Sequence, residues 1–168
     1  MGRRVAISLG FVAIAVILQA NLFGPGRIQP FGASPALVML SVIAVTRYLD
    51  EEPALLIGFT GGLLQDLLGS QPLGLWALVL TVVAYATVAT RDRVEGLPLV
   101  AGGVALLTIG AMVLFVVLAT LFAQDTLQDQ ALAIKVILPA VYNVAIAGAV
   151  LPLATKLLRQ PGEPGWAI

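Results

Sequence analysis

Residues 97–123 read LPLVAGGVALLTIGAMVLFVVLATLFA, an apolar run in which no side chain is charged. A helix needs about 20 apolar residues to cross the hydrocarbon core of a bilayer, so this run is long enough to span a membrane. The rest of the chain has the same character, since 60% of its 168 residues are hydrophobic and only 11% are charged. A soluble domain of this size could not bury so much apolar surface, and the composition therefore predicts an integral membrane protein.

Five further apolar segments lie on either side of this run, separated by short polar or Pro/Gly-rich loops. The predicted helices cover residues 5–23, 35–49, 53–69, 73–90, 97–123 and 131–158. This pattern predicts an all-α integral membrane protein in which residues 1–168 form a single transmembrane domain of six transmembrane helices.

Two local signals bear on where the predicted helices begin. Arg3 and Arg4 precede the first segment, as in a secretory signal peptide, but no convincing cleavage site follows, and we interpret the segment as an uncleaved span. Ser34 and Pro35 favour the N-cap and the first helical position of the second helix.

The basic residues are distributed unequally between the two sides of this arrangement. With the N-terminus in the cytoplasm, seven of the nine fall on the cytoplasmic side, whereas Arg27 and Lys135 lie towards the outside. The cytoplasmic set comprises Arg3, Arg4, Arg47, Arg91, Arg93, Lys156 and Arg159. Basic residues concentrate in the cytoplasmic loops of membrane proteins, so this distribution predicts that the N- and C-termini are both cytoplasmic.

The predicted third helix carries a strip of small residues that includes a carboxylate. Gly58, Gly62 and Asp66 recur every four residues. Gly69 follows three residues later, so all four positions project from one helix face. Such a strip favours close packing of a neighbouring helix, with the aspartate reaching headgroups or water. Alternatively, the carboxylate makes a buried polar contact to a partner, a lipid headgroup or an ion, because a charge inside a membrane is costly.

Three other polar side chains lie inside predicted spans. The hydroxyl of Tyr85 is expected to form a hydrogen bond within or between helices. Asn143 follows Pro139 by four residues and is expected to satisfy a freed backbone group or to bond across helices. Lys135 and Asp66 are predicted to lie at similar depth near the outer surface, where we expect a direct or water-bridged pair.

The composition argues against an enzyme. The chain has no histidine and no cysteine, which removes the commonest general base and every thiolate metal ligand. Away from the cytoplasmic ends of the predicted spans, Asp66 is the one acid and Lys135 the one base. We therefore expect no catalytic residues, no metal site and no cofactor. The net charge of zero also gives no reason to expect a nucleic-acid partner.

Two short patterns can be compared with known membrane families. They are Gly58-Phe59-x-x-Gly62-Leu63-x-x-Asp66-Leu67-Leu68 followed by Pro72-Leu73-Gly74 and Tyr85, and Pro139-x-x-Tyr142-Asn143 followed by Pro152. Together with the length of the chain and the six-helix plan, they resemble the rod shape-determining protein MreD family of bacteria. The resemblance is specific between Gly58 and Tyr85 and covers nearly the whole chain in layout.

The resemblance implies a non-enzymatic membrane scaffold of the bacterial cell-elongation (rod) complex, or elongasome, which supports peptidoglycan synthesis and cell shape. Such a protein is a multi-pass protein of the bacterial cytoplasmic (inner) membrane, in contact with membrane lipid. The partners implied by the family are an MreC-like protein, a RodA-like glycosyltransferase, a class B penicillin-binding protein and an MreB-like actin. Partner binding or packing is expected at seven positions: Gly58, Gly62, Asp66, Gly69, Tyr85, Lys135 and Asn143.

A second function remains open, because the family is similar in fold to the substrate-binding subunits of energy-coupling-factor vitamin transporters. A small-molecule subunit of that kind needs an outward-facing pocket with several polar or aromatic groups. The candidates for such a lining are few: Gln19, Asn21, Gln65, Asp66, Trp76 and Lys135. This scarcity favours the scaffold.

Two surfaces are candidates for docking the membrane span of an MreC-like partner. One is the aliphatic run of the predicted fifth helix, which also suits ordinary lipid contact: Val113, Leu114, Val116, Val117, Leu118 and Leu121. The other is the glycine-rich face of the predicted third helix, with Asp66 as a polar anchor.

Overall fold

The computed structural model describes residues 2–23, 28–69, 72–94, 96–122, 128 and 130–158. Across these residues the chain forms six α-helices and no strand, which confirms the all-α class. The helices are α1 (Gly2–Phe23), α2 (Leu37–Thr46), α3 (Glu51–Leu68), α4 (Leu75–Thr90), α5 (Leu97–Leu121) and α6 (Leu132–Leu158). Single 3-10 turns occupy Pro30–Gly32 and Arg91–Arg93. The sequence positions of Arg27, Arg159, the turn at 70–71 and most of the 123–130 loop lie outside the described residues.

Four of the helical segments are long and apolar enough to cross a membrane: Gly2–Phe23, Leu75–Arg93, Pro98–Leu121 and Leu132–Leu158. Helix α3 is 18 residues long but carries three carboxylates, at Glu51, Glu52 and Asp66, and so has more charged side chains than any other of the long helices. The chain is therefore a membrane protein with four candidate spans among the described residues.

Helix α2 is shorter than the predicted helix of residues 35–49. Its ten residues extend over about 15 Å, which is half the thickness of the hydrocarbon core. Nine of the ten are buried, so the helix is enclosed on every side by protein. A helix that is apolar all round is buried in this way because it has no face that benefits from water.

The core of the protein is built around α2. Helices α1, α3, α4 and α6 all pack against it. Its largest fully buried side chains, Met39, Leu40 and Ile43, meet Ile57 of α3 and Leu80 of α4 in one apolar cluster. A buried half-length helix leaves both of its ends inside or at the edge of the bundle, where the unpaired backbone groups need partners.

Candidate functional site

The glycine strip of α3 packs directly against α4. A Cβ atom added at Gly58 would lie 2.5 Å from the carbonyl oxygen of Leu80 and 2.8 Å from Cβ of Ala84. A Cβ at Gly62 would overlap the backbone of Trp76 and Ala77. No larger residue fits at either position without moving a helix, which is the packing role that the spacing predicted.

This contact changes the interpretation of the strip as a docking surface. Gly58 and Gly62 are both buried and both face α4 of the same chain, so the proposal that they receive a partner helix is wrong. Gly69 is the C-cap of α3, and its N–H donates to the carbonyl oxygens of Gln65 and Asp66.

Asp66 closes the N-terminus of α4. Its side chain is only 2% exposed. Oδ2 accepts the N–H of Gly74 at 2.9 Å and that of Ala77 at 3.2 Å, and Oδ1 accepts the N–H of Trp76 at 3.1 Å. Helix N-termini carry unpaired N–H groups and a partial positive charge, so a carboxylate placed there forms charge-assisted hydrogen bonds.

The local sequence explains why α4 takes its cap from another helix. Gly74 occupies the N-cap and has no side chain to offer, and its φ of 98° lies in the left-handed region that favours glycine. Leu75 and Trp76 follow, and neither can accept a hydrogen bond from the helix backbone. The acceptor therefore comes from Asp66, in the last turn of α3.

The expected pair between Asp66 and Lys135 does not form as a direct ion pair. Both oxygens of Asp66 are engaged by α4, and no salt bridge within the described residues joins it to Lys135. Lys135 lies in the first turn of α6, where its side chain is exposed. A direct pair is absent because the N–H groups of Gly74, Trp76 and Ala77 supply the positive partial charges that a lysine was expected to supply, and a water-bridged pair stays a prediction.

The N-terminus of α2 is capped by two other helices. Asn143 of α6 is fully buried, and its Oδ1 accepts the N–H of Ala36 at 3.1 Å while Nδ2 donates to Oγ1 of Thr108 at 3.2 Å. Gln19 of α1 accepts the N–H of Val38 through Oε1 at 3.0 Å. Asn143 therefore forms hydrogen bonds across helices, which is one of the two roles expected of it, and it links α2, α5 and α6.

This arrangement corrects the predicted start of α2. Ser34 was expected at the N-cap, but the helix begins at Leu37 and Ala36 is its N-cap. Ala36 cannot cap with its own side chain, so Asn143 and Gln19 take that role. The role of Gln19 was missed because nothing in the sequence near α1 indicates which distant N–H its amide would accept.

Arginines hold the opposite end of α2. Arg4 donates from Nη1 to the carbonyl oxygen of Tyr48 at 3.3 Å, and Arg91 donates from Nη1 to that of Leu49 at 2.6 Å. Arg47, in the turn after α2, donates from Nη2 to the carbonyl oxygen of Val94 at 3.2 Å. Burial lowers the pKa of the Arg47 guanidinium, an effect that Tyr48 opposes. Cations at a helix C-terminus are favourable, so both ends of α2 are compensated.

Tyr85 differs from expectation. Its side chain is 53% exposed on α4, and no hydrogen bond to its hydroxyl is found within the described residues. The side chain projects away from the bundle, so the expected bond within or between helices is absent from the described part of the chain.

An open cavity lies at the end of the bundle where α1 ends and α2, α4 and α6 begin. Its volume is about 460 Å³. The lining comes from the segment before α2 and from α1, α4, α5 and α6: Gln19, Gln29, Gly32, Ala33, Ser34, Pro35, Ala36, Trp76, Met112, Phe115, Lys135 and Pro139. A second hollow of about 170 Å³ shares Gln19, Ser34 and Trp76 with it and adds Gln65.

One wall of the cavity is aromatic. The rings of Trp76 and Phe115 are stacked, with centroids 4.5 Å apart and planes inclined at 20°. Of the polar candidates for a pocket, Gln19, Trp76 and Lys135 line the cavity and Gln65 lines the smaller hollow. Asp66 instead accepts hydrogen bonds from the N-terminus of α4. Asn21 donates to the carbonyl oxygen of Ile17 on the exposed side of α1.

The described residues contain no group of three or more His, Cys, Asp or Glu side chains that could hold a metal ion. What the site offers chemically is hydrogen-bond donors, a cation and an aromatic wall.

Comparison with known proteins identifies one family. The family model of the rod shape-determining protein MreD matches residues 3–160, which is nearly the whole chain. Neither the curated proteins nor the solved structures returned a match.

Proposed function

The chain belongs to the MreD family, and from that premise we propose that it is a non-enzymatic membrane scaffold of the bacterial rod complex. Membership implies a role in determining rod shape, and the match over residues 3–160 is the observation that carries the proposal. The scaffold binds an MreC-like membrane protein and so supports peptidoglycan synthesis during elongation.

The proposed setting is the bacterial inner membrane, crossed six times with both termini in the cytoplasm. The unequal distribution of basic residues supports this orientation. Arg4 lies at the start of α1 and Arg91 directly follows α4. Both donate to carbonyl oxygens at the C-terminal end of α2, so they lie at the same end of the bundle. That end is the one we assign to the cytoplasm.

Helix α5 supplies the docking surface that α3 cannot. An exposed stripe runs along it at steps of three and four residues: Leu99, Gly102, Leu106, Gly110, Val113, Val117 and Leu121. A Cβ added at Gly102 or Gly110 would meet nothing within 4 Å, so both glycines are open to the surroundings. In lipid, helices associate by close packing at small residues, which supports this stripe as the place where a partner span packs.

The experiment is copurification of an MreC-like protein in a mild detergent. Gly102→Leu and Gly110→Leu should each reduce the recovered partner because a large side chain blocks close approach. Both should leave the isolated protein folded, since the added atoms have space. Deletion of the gene in a rod-shaped host should give round or swollen cells.

Gly148→Leu is the matched control. Gly148 is also exposed, and an added Cβ there meets nothing within 4 Å, but it lies on α6. Full partner recovery with both α5 variants would exclude the stripe, and unchanged cell shape in the deletion strain would exclude the scaffold role.

A second candidate function is favoured by one observation, the cavity of about 460 Å³ with Gln19, Trp76 and Lys135 in its lining. A binding subunit of a small-molecule transporter requires such a cavity. If the deletion strain keeps its shape and loses uptake of a vitamin, this function replaces the scaffold.

A further inference from the structure

Phe31, in the turn between α1 and α2, combines an unfavourable backbone conformation with a very exposed ring. Its φ of 56° and ψ of 24° lie in the left-handed region, which no other described non-glycine residue occupies with a positive φ. The residue is 86% exposed, more than any other large apolar residue in the described part of the chain. A left-handed phenylalanine is strained, and such strain persists where other interactions favour it. The ring makes few contacts within this chain, so the compensating surroundings lie outside it.

The turn that carries Phe31 is held against the end of α1. The N–H of Ile28 donates to the carbonyl oxygen of Leu22 at 3.2 Å. The N–H of Gly32 donates to that of Gln29 at 3.1 Å, which closes the turn around Phe31. The position of the ring is therefore fixed relative to the last turn of a helix.

The apolar outer surface of α1 leads to this turn. Ile14, Leu18 and Leu22 recur every four residues and are each between 44% and 59% exposed. Helix α1 is long and apolar enough to cross a membrane, so a stripe of this kind contacts lipid. Because Leu22 is also the acceptor for Ile28, the turn begins where the lipid-covered stripe ends. The bilayer is therefore the apolar environment that adjoins Phe31.

Helix α2 by itself crosses only part of a membrane. It extends over about 15 Å, whereas the hydrocarbon core is roughly 30 Å thick. The non-helical chain from Phe31 to Leu37 can add at most about 20 Å, because an extended residue spans about 3.3–3.6 Å. The chain from Phe31 to Thr46 is thus long enough for one complete crossing.

The non-helical part of this crossing is shielded from lipid. Backbone that is not helical is tolerated at membrane depth where it is buried in protein or lines a cavity that admits water. Residues 32–36 meet both conditions, since Ala33, Pro35 and Ala36 are buried and the whole segment lines the open cavity of about 460 Å³. The N–H of Ala36 is bonded to Oδ1 of Asn143. The segment can therefore lie inside the membrane without presenting unpaired peptide groups to acyl chains.

We propose that Phe31 anchors the turn before α2 in the bilayer, at the boundary between headgroups and acyl chains. Residues 32–36 then complete, as non-helical chain, the crossing that α2 makes only in part. Apolar side chains of interfacial anchors lie about 5–10 Å into this boundary. The anchor is independent of the proposed role in cell shape, because it concerns the contact of the chain with lipid rather than with a protein of the rod complex.

A tryptophan at position 31 measures the depth of the ring. Phe31→Trp is made in a Trp76→Phe, Trp166→Phe background, so that it is the only tryptophan of the full-length chain. The variant is reconstituted in phosphatidylcholine vesicles that contain lipid brominated either near the carboxyl end or near the middle of the acyl chains. Bromine quenches tryptophan at short range. The emission maximum should be blue-shifted, and bromine near the carboxyl end should quench it more strongly than bromine at mid-chain.

Two variants in the same background calibrate the measurement. Ile14→Trp lies near the middle of the lipid-facing stripe of α1 and should be quenched more strongly by mid-chain bromine. Asp92→Trp replaces a side chain that is 72% exposed in the turn after α4, and it should emit at longer wavelength with the least quenching. Circular dichroism of each variant checks that the helices are retained.

A second label keeps the test decisive if Phe31→Trp does not fold. The chain has no cysteine, so Phe31→Cys can carry an environment-sensitive fluorophore that is quenched by the same lipids. Long-wavelength emission at position 31 with as little quenching as at position 92 would place the ring in water and overturn the anchor, leaving a protein partner as its occupant. Stronger quenching by mid-chain bromine would place Phe31 deep in the membrane, and residues 32–36 could then not complete the crossing.

Discussion

Asp66 provides three hydrogen bonds to α4 from a position that is 2% exposed. Asp66→Ala should lower the free energy of unfolding by about 1–3 kcal/mol, because buried N–H groups would lose their acceptor. Asp66→Asn keeps one carbonyl acceptor and should cost less. Thermal unfolding in detergent, followed by circular dichroism, measures the difference.

Asp92→Ala is the control for the two Asp66 variants, because the Asp92 side chain is 72% exposed beside Arg91. Its loss should change the free energy of unfolding by less than about 0.5 kcal/mol. If Asp66→Ala were no more destabilising than Asp92→Ala, the cap would contribute nothing measurable to the fold.

Two glycines predict opposite effects of the same substitution. Gly74 has a φ of 98°, so Gly74→Ala should destabilise the protein by about 1–2 kcal/mol through backbone strain. Gly102 lies inside α5 with open space around it, so Gly102→Ala should be neutral or stabilise by up to about 1 kcal/mol. Denaturant unfolding of both variants measures this, and equal effects would contradict the backbone explanation.

Much of the residue-scale chemistry was visible in the sequence, but the partners were not. The spacing of Gly58, Gly62 and Asp66 indicated a shared face and a costly charge. It could not indicate that the carboxylate would reach across eight positions to Gly74, because hydrogen-bonding partners depend on how two helices pack. A usable signal was present in hindsight: α4 starts at Gly-Leu-Trp, which contains no capping side chain, so an acceptor had to come from elsewhere.

At the scale of the elements, the contact of α3 with α4 is set by Gly62, whose added Cβ would overlap the backbone of α4. Gly62→Leu should destabilise the protein by about 1–3 kcal/mol or more through overpacking. Gly148→Leu, at an open position of α6, should have little effect. A thermal unfolding series that ranked the two variants equally would show that the α3–α4 contact tolerates separation.

The length of helix α2 could not be predicted from the sequence. Hydrophobicity located an apolar helix there, but not its length, because residues 36–49 contain no glycine or proline and only one charged side chain, Arg47. The ends at Leu37 and Thr46 are set by capping groups on α1 and α6 and by arginines that lie far away in sequence. Tertiary contacts of this kind are invisible to periodicity, which reports only the pattern within one segment.

At the scale of the whole molecule, the orientation depends on whether the half-length α2 completes a crossing. The chain has no cysteine, so single cysteines can be placed at Ile28, Asp92 and Gln128, all of which are exposed. In a six-span protein, Ile28→Cys and Gln128→Cys should react with an impermeant maleimide on intact cells, because both lie outside. Asp92→Cys should react only after the membrane is permeabilised.

The same labelling distinguishes the alternatives to six spans. If α2 entered the membrane and returned to the side it came from, α3 and α4 would still cross, and residue 92 would lie outside with residue 28. Asp92→Cys would then react on intact cells, and the basic residues Arg91 and Arg93 would face outward against the charge distribution typical of membrane proteins.

We expect residue 92 to be protected from the reagent on intact cells, because Arg4 and Arg91 both donate to carbonyl oxygens at the C-terminal end of α2 and so lie at one end of the bundle. An arginine at the start of α1 and one at the end of α4 lie on the same side only if the chain between them crosses the membrane an even number of times. For α1 to α4 this condition is met when α2 and its flanking segments complete one crossing.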